Sequence, residues 1–445
     1  MANITLPLNL GHQPSRHLPM SNAQLVNLYL TNKSLAPTPG LEEIKTIVNP
    51  SKIRGTLNSS VYGGIIYVSG SDIYLIRGQT RDRIGFDIIP NDDEVKLVEN
   101  FDSQIAILTL NEIYILDKSA SNTVKKLTSL GEQVQDVAYQ DTYFIYAIKD
   151  KNQFKISENN NGLKIYEDFT GIIGGKVTAI ESFEQQLWVF SNDDINIFYD
   201  SGQIPNVYQK TKTLAVNYGL GNRTSISQNF GLMCWLSTSK SSSPFITVTD
   251  GSYPKIISNE NIDYIINNCS NPLNSRGLLY QLNGHIFYMI YFDDDNFGFI
   301  YDFETKIFSK VTFKNPIISL NEMNGIYYAG IKNNSSFFKF DLSITTDTDS
   351  IVNRYIIFPT LIYKNRIAIN NLDMYIETGY AKGSCELNIS RDKGITFQNV
   401  ETKNLLNGFG DFLAFRQLGS AYYWTIMLRF FIDGKFSFKQ VELTV

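Results

Sequence analysis

Cysteine and histidine are nearly absent, with three of each in 445 residues. Cys234, Cys269 and Cys385 are far apart, odd in number and without a CxxC pair. That excludes a zinc knuckle or a disulfide framework, and the three read as small buried hydrophobes. His12, His17 and His285 are too dispersed for a histidine-based metal or acid–base site, and His285, opening an apolar strand, is expected at a core edge. Basic runs are missing as well. The one adjacent pair is Lys125-Lys126 and the formal net charge is −5, so direct nucleic-acid binding through a basic patch is not expected. Long apolar runs are also lacking: "AYYWTIMLRFFI" (421–432) is too short to span a bilayer and contains Arg429. The first residues lack a basic region followed by a continuous apolar one, so no signal peptide is read there. The expectation is a soluble protein made in a reducing cytoplasm, without membrane insertion.

Helix periodicity is scarce too. What is abundant is aromatic side chain, 13% of the chain with 26 Tyr and 29 Phe, a composition that favours strands. Short alternating apolar runs come in pairs around turns of Gly, Asn, Asp and Ser. In the first, Ile65–Val68 and Ile73–Ile76 flank Ser69-Gly70-Ser71-Asp72. The paired runs start near residues 65, 105, 143, 187, 231, 286 and 327, in steps of 40, 38, 44, 44, 55 and 41. A four-stranded propeller blade repeats at about 40–50 residues, so each run is predicted to be the central hairpin of one blade. The fold class is therefore all-β, with a propeller of six or seven blades over 51–342; a series of sandwich meanders is the competing architecture. Residues 1–50, irregular and proline-rich (Pro7, Pro14, Pro19, Pro37, Pro39), read as an extended arm, and the polar 343–354 as a linker. Residues 355–445 read as a small C-terminal β-sandwich.

Few motifs carry chemistry. "SRDKGITF" (390–397) resembles the Asp box of sialidases and other glycan-handling propellers. Its residues are legible as a hairpin turn: Gly394 at a φ > 0 position, Ser390 and Asp392 bonding turn N–H groups, and Phe397 folding back into the apolar layer. With Thr396 they form a structural unit and not a catalytic one, and the single copy lies beyond the propeller. A sialidase would also need an arginine triad, a Tyr–Glu nucleophile pair and an acid; Arg54, Arg77, Arg223, Arg276 and Arg354 are candidates, but no spacing singles out three. Asp293, Asp294 and Asp295 are dense enough for Ca²⁺ but lack EF-hand order, so a solvated turn is favoured. "NYGLGNR" (217–223) has GxG but no following helix. Glycosylation sequons, among them those at Asn222, Asn268 and Asn388, would matter only in a secreted eukaryotic protein. No catalytic residue, metal site or cofactor is predicted. Trp188, Trp235 and Trp424 sit inside apolar strands, which argues against exposed sugar platforms.

The order of features resembles the tail-hub or packaged DNA stabilisation proteins of short-tailed (podovirus) bacteriophages. "QLVNLYLTNKS…APTPGLEEI" is similar to that family's opening. "IESFEQQLWVFSNDDINIFYDSG" (180–202) and "NYGLGNRTSISQNFGLMCWLS" (217–237) resemble its middle region. "FPTLIYKNRIAINNLDMYIETGYAK…CELNISRDKGITFQN" and "FRQLGS…LRFFIDGKFSFKQVELTV" resemble its C-terminal domain, where the Asp-box-like turn is structural. The resemblance implies a non-enzymatic virion protein of the tail. It implies a homo-oligomeric ring, a hexamer by family resemblance, below the portal and adaptor. The ring would close the DNA channel, let DNA pass without specific binding, and seat tail spikes and a needle. A glycan-binding or glycan-cleaving propeller for host recognition is the rival reading. In the hub reading the arm and the C-terminal domain make the intersubunit contacts, so deleting residues 1–45 is expected to leave a folded monomer that no longer joins tails.

Overall fold

In the computed structural model, residues 3–14, 22–78, 80–86, 89–90, 93–211, 216–240, 242–379, 381–405 and 411–445 are described. Seven antiparallel units of four principal strands follow one another around an axis: 53–85, 95–126, 134–165, 179–210, 227–256, 275–311, and 317–341 completed by Gly40–Val48. We call them blades 1 to 7. Six belong to sheets confined to the propeller, whereas the sheet of blade 6 runs on into the C-terminal domain. The central hairpin of every blade coincides with one of the seven paired runs predicted from spacing. The 55-residue step before blade 6 accommodates the helix Glu260–Asn267, which the sequence pattern did not disclose.

The propeller closes because no blade can bury both its faces alone. Seven apolar clusters fill the seven interfaces between successive blades. One joins Trp188 and Phe190 of blade 4 to Trp235 of blade 5, with ring centroids 6.3 and 5.5 Å apart. The last joins Tyr328 and Phe337 of blade 7 to Ile65, Tyr67 and Tyr74 of blade 1. A buried aromatic removes about 150–250 Å² from water, or roughly 4–6 kcal/mol before entropy is counted. The three tryptophans are fully buried.

The N-terminal segment departs from expectation. The described residues of the 1–50 stretch do not form a free extended arm. Asn3–Thr5 pairs with Thr444–Glu442 at the chain's other end. Asn22–Val26 pairs antiparallel with 355–357 and, at Val26, parallel with Lys310 of blade 6. Gly40–Val48 lies along Ser336–Asp341 as the outer strand of blade 7. These strands pair mainly with partners roughly 290–440 residues away, so no local pattern marks them. His17 and Pro19 lie outside the described residues. The 343–354 linker is also structured: Asp347 pairs with Leu41, and Arg354 is fully buried, donating to the carbonyls of Thr345 and Thr38.

The C-terminal domain consists of two sheets around one apolar core. Asp411–Asp433 belongs to both: residues 411–424 pair with Leu361–Glu377, and 425–433 pair with Lys382–Ser390. The switch follows an irregular stretch in which Gln417 and Gly419 take φ of +57° and +91°.

Two expectations follow. Removing residues 1–48 strips the outer strand from blade 7 and five short strands from the sheet that blade 6 shares with the C-terminal domain. The truncated chain should be insoluble or molten by near-ultraviolet circular dichroism; this replaces the folded monomer expected from sequence, and a cooperative thermal transition would refute it. The second concerns His12, which is buried against Phe299 with its Nδ1 lacking a partner. Burial, helped by the Lys310 charge and opposed by a backbone bond at Leu25, lowers its pKa from 6.5 to about 3. Folding thus excludes a proton that the unfolded chain binds, so the His12 contribution is intact above about pH 6.5 and is lost as the pH falls toward about 3, at up to about 1.4 kcal/mol per pH unit. His12→Phe should flatten the fall of Tm on acidification; equal slopes in both proteins would contradict this.

Candidate functional site

The inner strands of the blades surround a central channel, and a cavity of about 380 Å³ opens there, lined by residues of blades 1, 2, 4, 5, 6 and 7. Glycine sets the close approach of the strands. A Cβ on Gly55 would meet the Val95 carbonyl oxygen at 2.2 Å, and one on Gly277 the Ser225 carbonyl oxygen at 1.9 Å. Residues on alternate positions of these strands face the axis, and here they include the charged Arg54, Lys96, Glu181 and Arg276.

Two networks cross the channel wall. In the first, Lys96 of blade 2 donates to Asp136 of blade 3 at 3.0 Å and to Glu181 of blade 4 at 2.7 Å. Arg223, in the short turn before blade 5, approaches Asp136 at 3.6 Å and donates to the Gln135 carbonyl at 3.0 Å. Asp136, fully buried, also accepts the Ile180 N–H at 2.9 Å. Burial opposes the Lys96 charge, yet its two carboxylates outweigh that and raise its pKa; burial pushes Glu181 up, with Lys96 opposing. In the second, Arg276 of blade 6 makes a bidentate pair with Glu94 at 2.5 and 2.7 Å and bonds Asp293 at 2.8 Å. Lys332 of blade 7 reaches Asp293 at 2.7 Å. Removing the partner of a buried member, Asp136, Arg276 or Asp293, leaves an uncompensated charge.

The five candidate arginines are therefore distributed. Arg54, Arg223 and Arg276 do converge on the channel, but protein acceptors hold each of them; Arg54 donates to the carbonyls of Asp93 and Gly70, both at 2.6 Å, and to Thr109 at 3.0 Å. Arg77 binds the Tyr62 carbonyl at a blade edge, and Arg354 is buried near the C-terminal domain. Asp293, Asp294 and Asp295 point to different partners, namely Arg276 with Lys332, Asn274, and Ser270. Among the described residues no group of three or more His, Cys, Asp and Glu is placed to hold a metal ion. His285 bonds Asp302 at 2.8 Å within its strand pair. The three cysteines are free thiols, two buried and Cys269 half-buried, and burial pushes Cys269 up to about 12.

The turn at 390–397 lies in the C-terminal domain, far along the chain from the channel. Gly394 N–H donates to Ser390 Oγ at 2.8 Å, and Thr396 N–H donates to Asp392 Oδ1 at 2.9 Å. The Ser390 and Thr396 hydroxyls donate to Asp392 at 2.5 Å, and these bonds hold its carboxyl well below the usual range. Gly394 has φ of +87°. Phe397 corrects one expectation: it is half-buried and not among the side chains of the domain core, because it leads into the mostly exposed strand Gln398–Asn404. The sequence did not reveal the ionic networks, since Lys96, Asp136 and Glu181 meet only when blades 2 to 4 stack. Among the described residues, no helix is long and apolar enough to cross a membrane.

Lys96→Met should cost about 3–5 kcal/mol, read as a lowered midpoint in urea, because Asp136 and Glu181 lose their shared cation in a buried wall; an unchanged midpoint would show that the network is dispensable.

The family described as phage stabilisation, "Bacteriophage P22 Gp10, beta-propeller", matches residues 5–309. No curated protein sequence matches. Among solved structures, the N-terminal domain of Nup159 is similar at 11% identity and TM-score 0.44, covering 71% of this chain and 98% of that one. The computationally designed Ika8 protein is similar at 10% identity and TM-score 0.41, covering 68% and 100%. The extracellular domain of the BT4673 hybrid two-component system of B. thetaiotaomicron is similar at 10% identity and TM-score 0.44, covering 75% and 41%.

Proposed function

Because the chain belongs to the phage stabilisation family of bacteriophage P22 Gp10 β-propellers, and so is a structural phage tail protein, we propose that it is the tail hub. In this reading it assembles as a homo-oligomeric ring, a hexamer by family resemblance, at the head–tail connector below the portal and adaptor. It is made in the host cytoplasm, retains packaged DNA until genome ejection, and seats the spikes and needle. No catalytic step or cofactor is assigned to it. The observation that carries the reading is the family match over the first two-thirds of the chain, together with a propeller whose blade 6 shares a sheet with the C-terminal domain.

Three further features support it. The −5 charge suits a wall past which DNA slides without specific binding. The channel's cations are tied up in internal pairs, which fits a structural wall better than a substrate site. The C-terminal domain leaves Tyr375 and Phe412 about half exposed in mutual contact, 4.9 Å between centroids. With the N-terminal segment built into the fold, intersubunit contact falls to this domain.

Phage produced without this chain should be seen by electron microscopy as filled heads that lose DNA and carry no completed tail. Stable, DNA-retaining, infectious particles lacking it would overturn the proposal.

A further inference from the structure

A second concavity, on the flank of blade 5, is built differently from the channel. It encloses about 660 Å³ between the strand pair of Leu232–Ser239 and Ser242–Thr249 and the helix Glu260–Asn267. This lies within the usual range for small-ligand sites. Its described lining holds no Lys or Arg, unlike the channel. Three rings lie on its walls: Tyr218 and Phe245, edge-to-face at 5.3 Å, and Tyr264, about half exposed on the helix. Also lining it are the exposed amides of Asn217 and Asn267, which both donate and accept, and Ser239, Ser242 and Ser243.

Two carboxylates complete it, Glu260 and Asp263, both in the first turn of the helix. The helix N-terminus offsets their charge, which weakens the groove as a cation trap. One oxygen of Asp263 is buried there without a hydrogen-bond donor. Burial, opposed by the Ser258 hydroxyl, raises the Asp263 pKa. Ring faces, uncharged groups that bond in both directions and carboxylate acceptors are what a pyranose ring requires, with its apolar C–H face and its girdle of hydroxyls.

We propose that this groove on blade 5 is a binding site for a neutral saccharide, a capacity beyond the tail-hub role and independent of it. The test is saturation-transfer difference NMR on the full chain, using a panel of neutral hexose and N-acetylhexosamine oligosaccharides, with spermidine as the cationic probe. At least one oligosaccharide should bind with a Kd on the order of 1 mM or tighter, and its affinity should be insensitive to salt, as suits an uncharged ligand. Tyr264→Ala should weaken it tenfold or more with Tm unchanged, and Asp263→Asn should weaken it also. Tyr199→Ala, an exposed tyrosine on blade 4, should leave it unmoved. Three outcomes would overturn the proposal: no panel member bound, binding unaffected by Tyr264→Ala, or salt-sensitive binding of spermidine in place of any sugar. None of them bears on tail assembly, which electron microscopy of particles reports separately.

Discussion

The pairing of Gly40–Val48 with Ser336–Asp341 is the contact on which the rest of the molecule depends. Each blade has two apolar faces, and a row of seven would leave one face bare at each end. Closing the row converts those two faces into the seventh interface, where Tyr328 and Phe337 meet Tyr67 and Tyr74. The strand that completes blade 7 is Gly40–Val48, so losing it would open the ring.

Closure also makes the channel. Charged residues on inner strands are tolerable only because blades bring opposite signs within hydrogen-bonding distance. Lys96, Asp136 and Glu181 come from three successive blades, and Arg276, Asp293 and Lys332 tie blade 6 to blade 7. A single misplaced blade would leave a buried ion alone, at a cost of several kcal/mol. The networks therefore act as a check on register as well as a wall. The arginines that converge there are likewise held by protein acceptors: Arg54 by backbone carbonyls and Thr109, Arg223 by the Gln135 carbonyl, and Arg276 by Glu94 and Asp293.

The C-terminal domain depends on the ring through the strand Asn22–Val26, which pairs on one side with blade 6 and on the other with residues 355–357. Its orientation relative to the propeller is thus set by backbone hydrogen bonds and not by a flexible linker. The Asp392 turn is part of that domain's own hairpin, and all its bonds are local. That locality makes its hydrogen-bonding roles legible in the order of residues alone. The half-buried position of Phe397 is not legible in the same way, because burial depends on what packs over the strand.

By itself the sequence determined the all-β class, the seven hairpins and their spacing, the burial of the three tryptophans and the turn at 390–397. Each rests on alternation or on contacts within a few residues, which the chain order preserves. Tertiary structure decided the closing strand, the loss of the supposed arm and linker, the convergence of Arg54, Arg223 and Arg276, and the groove beside the helix. These join residues tens to hundreds of positions apart, and such partners leave no periodic mark because the side chains meet only after the blades have stacked.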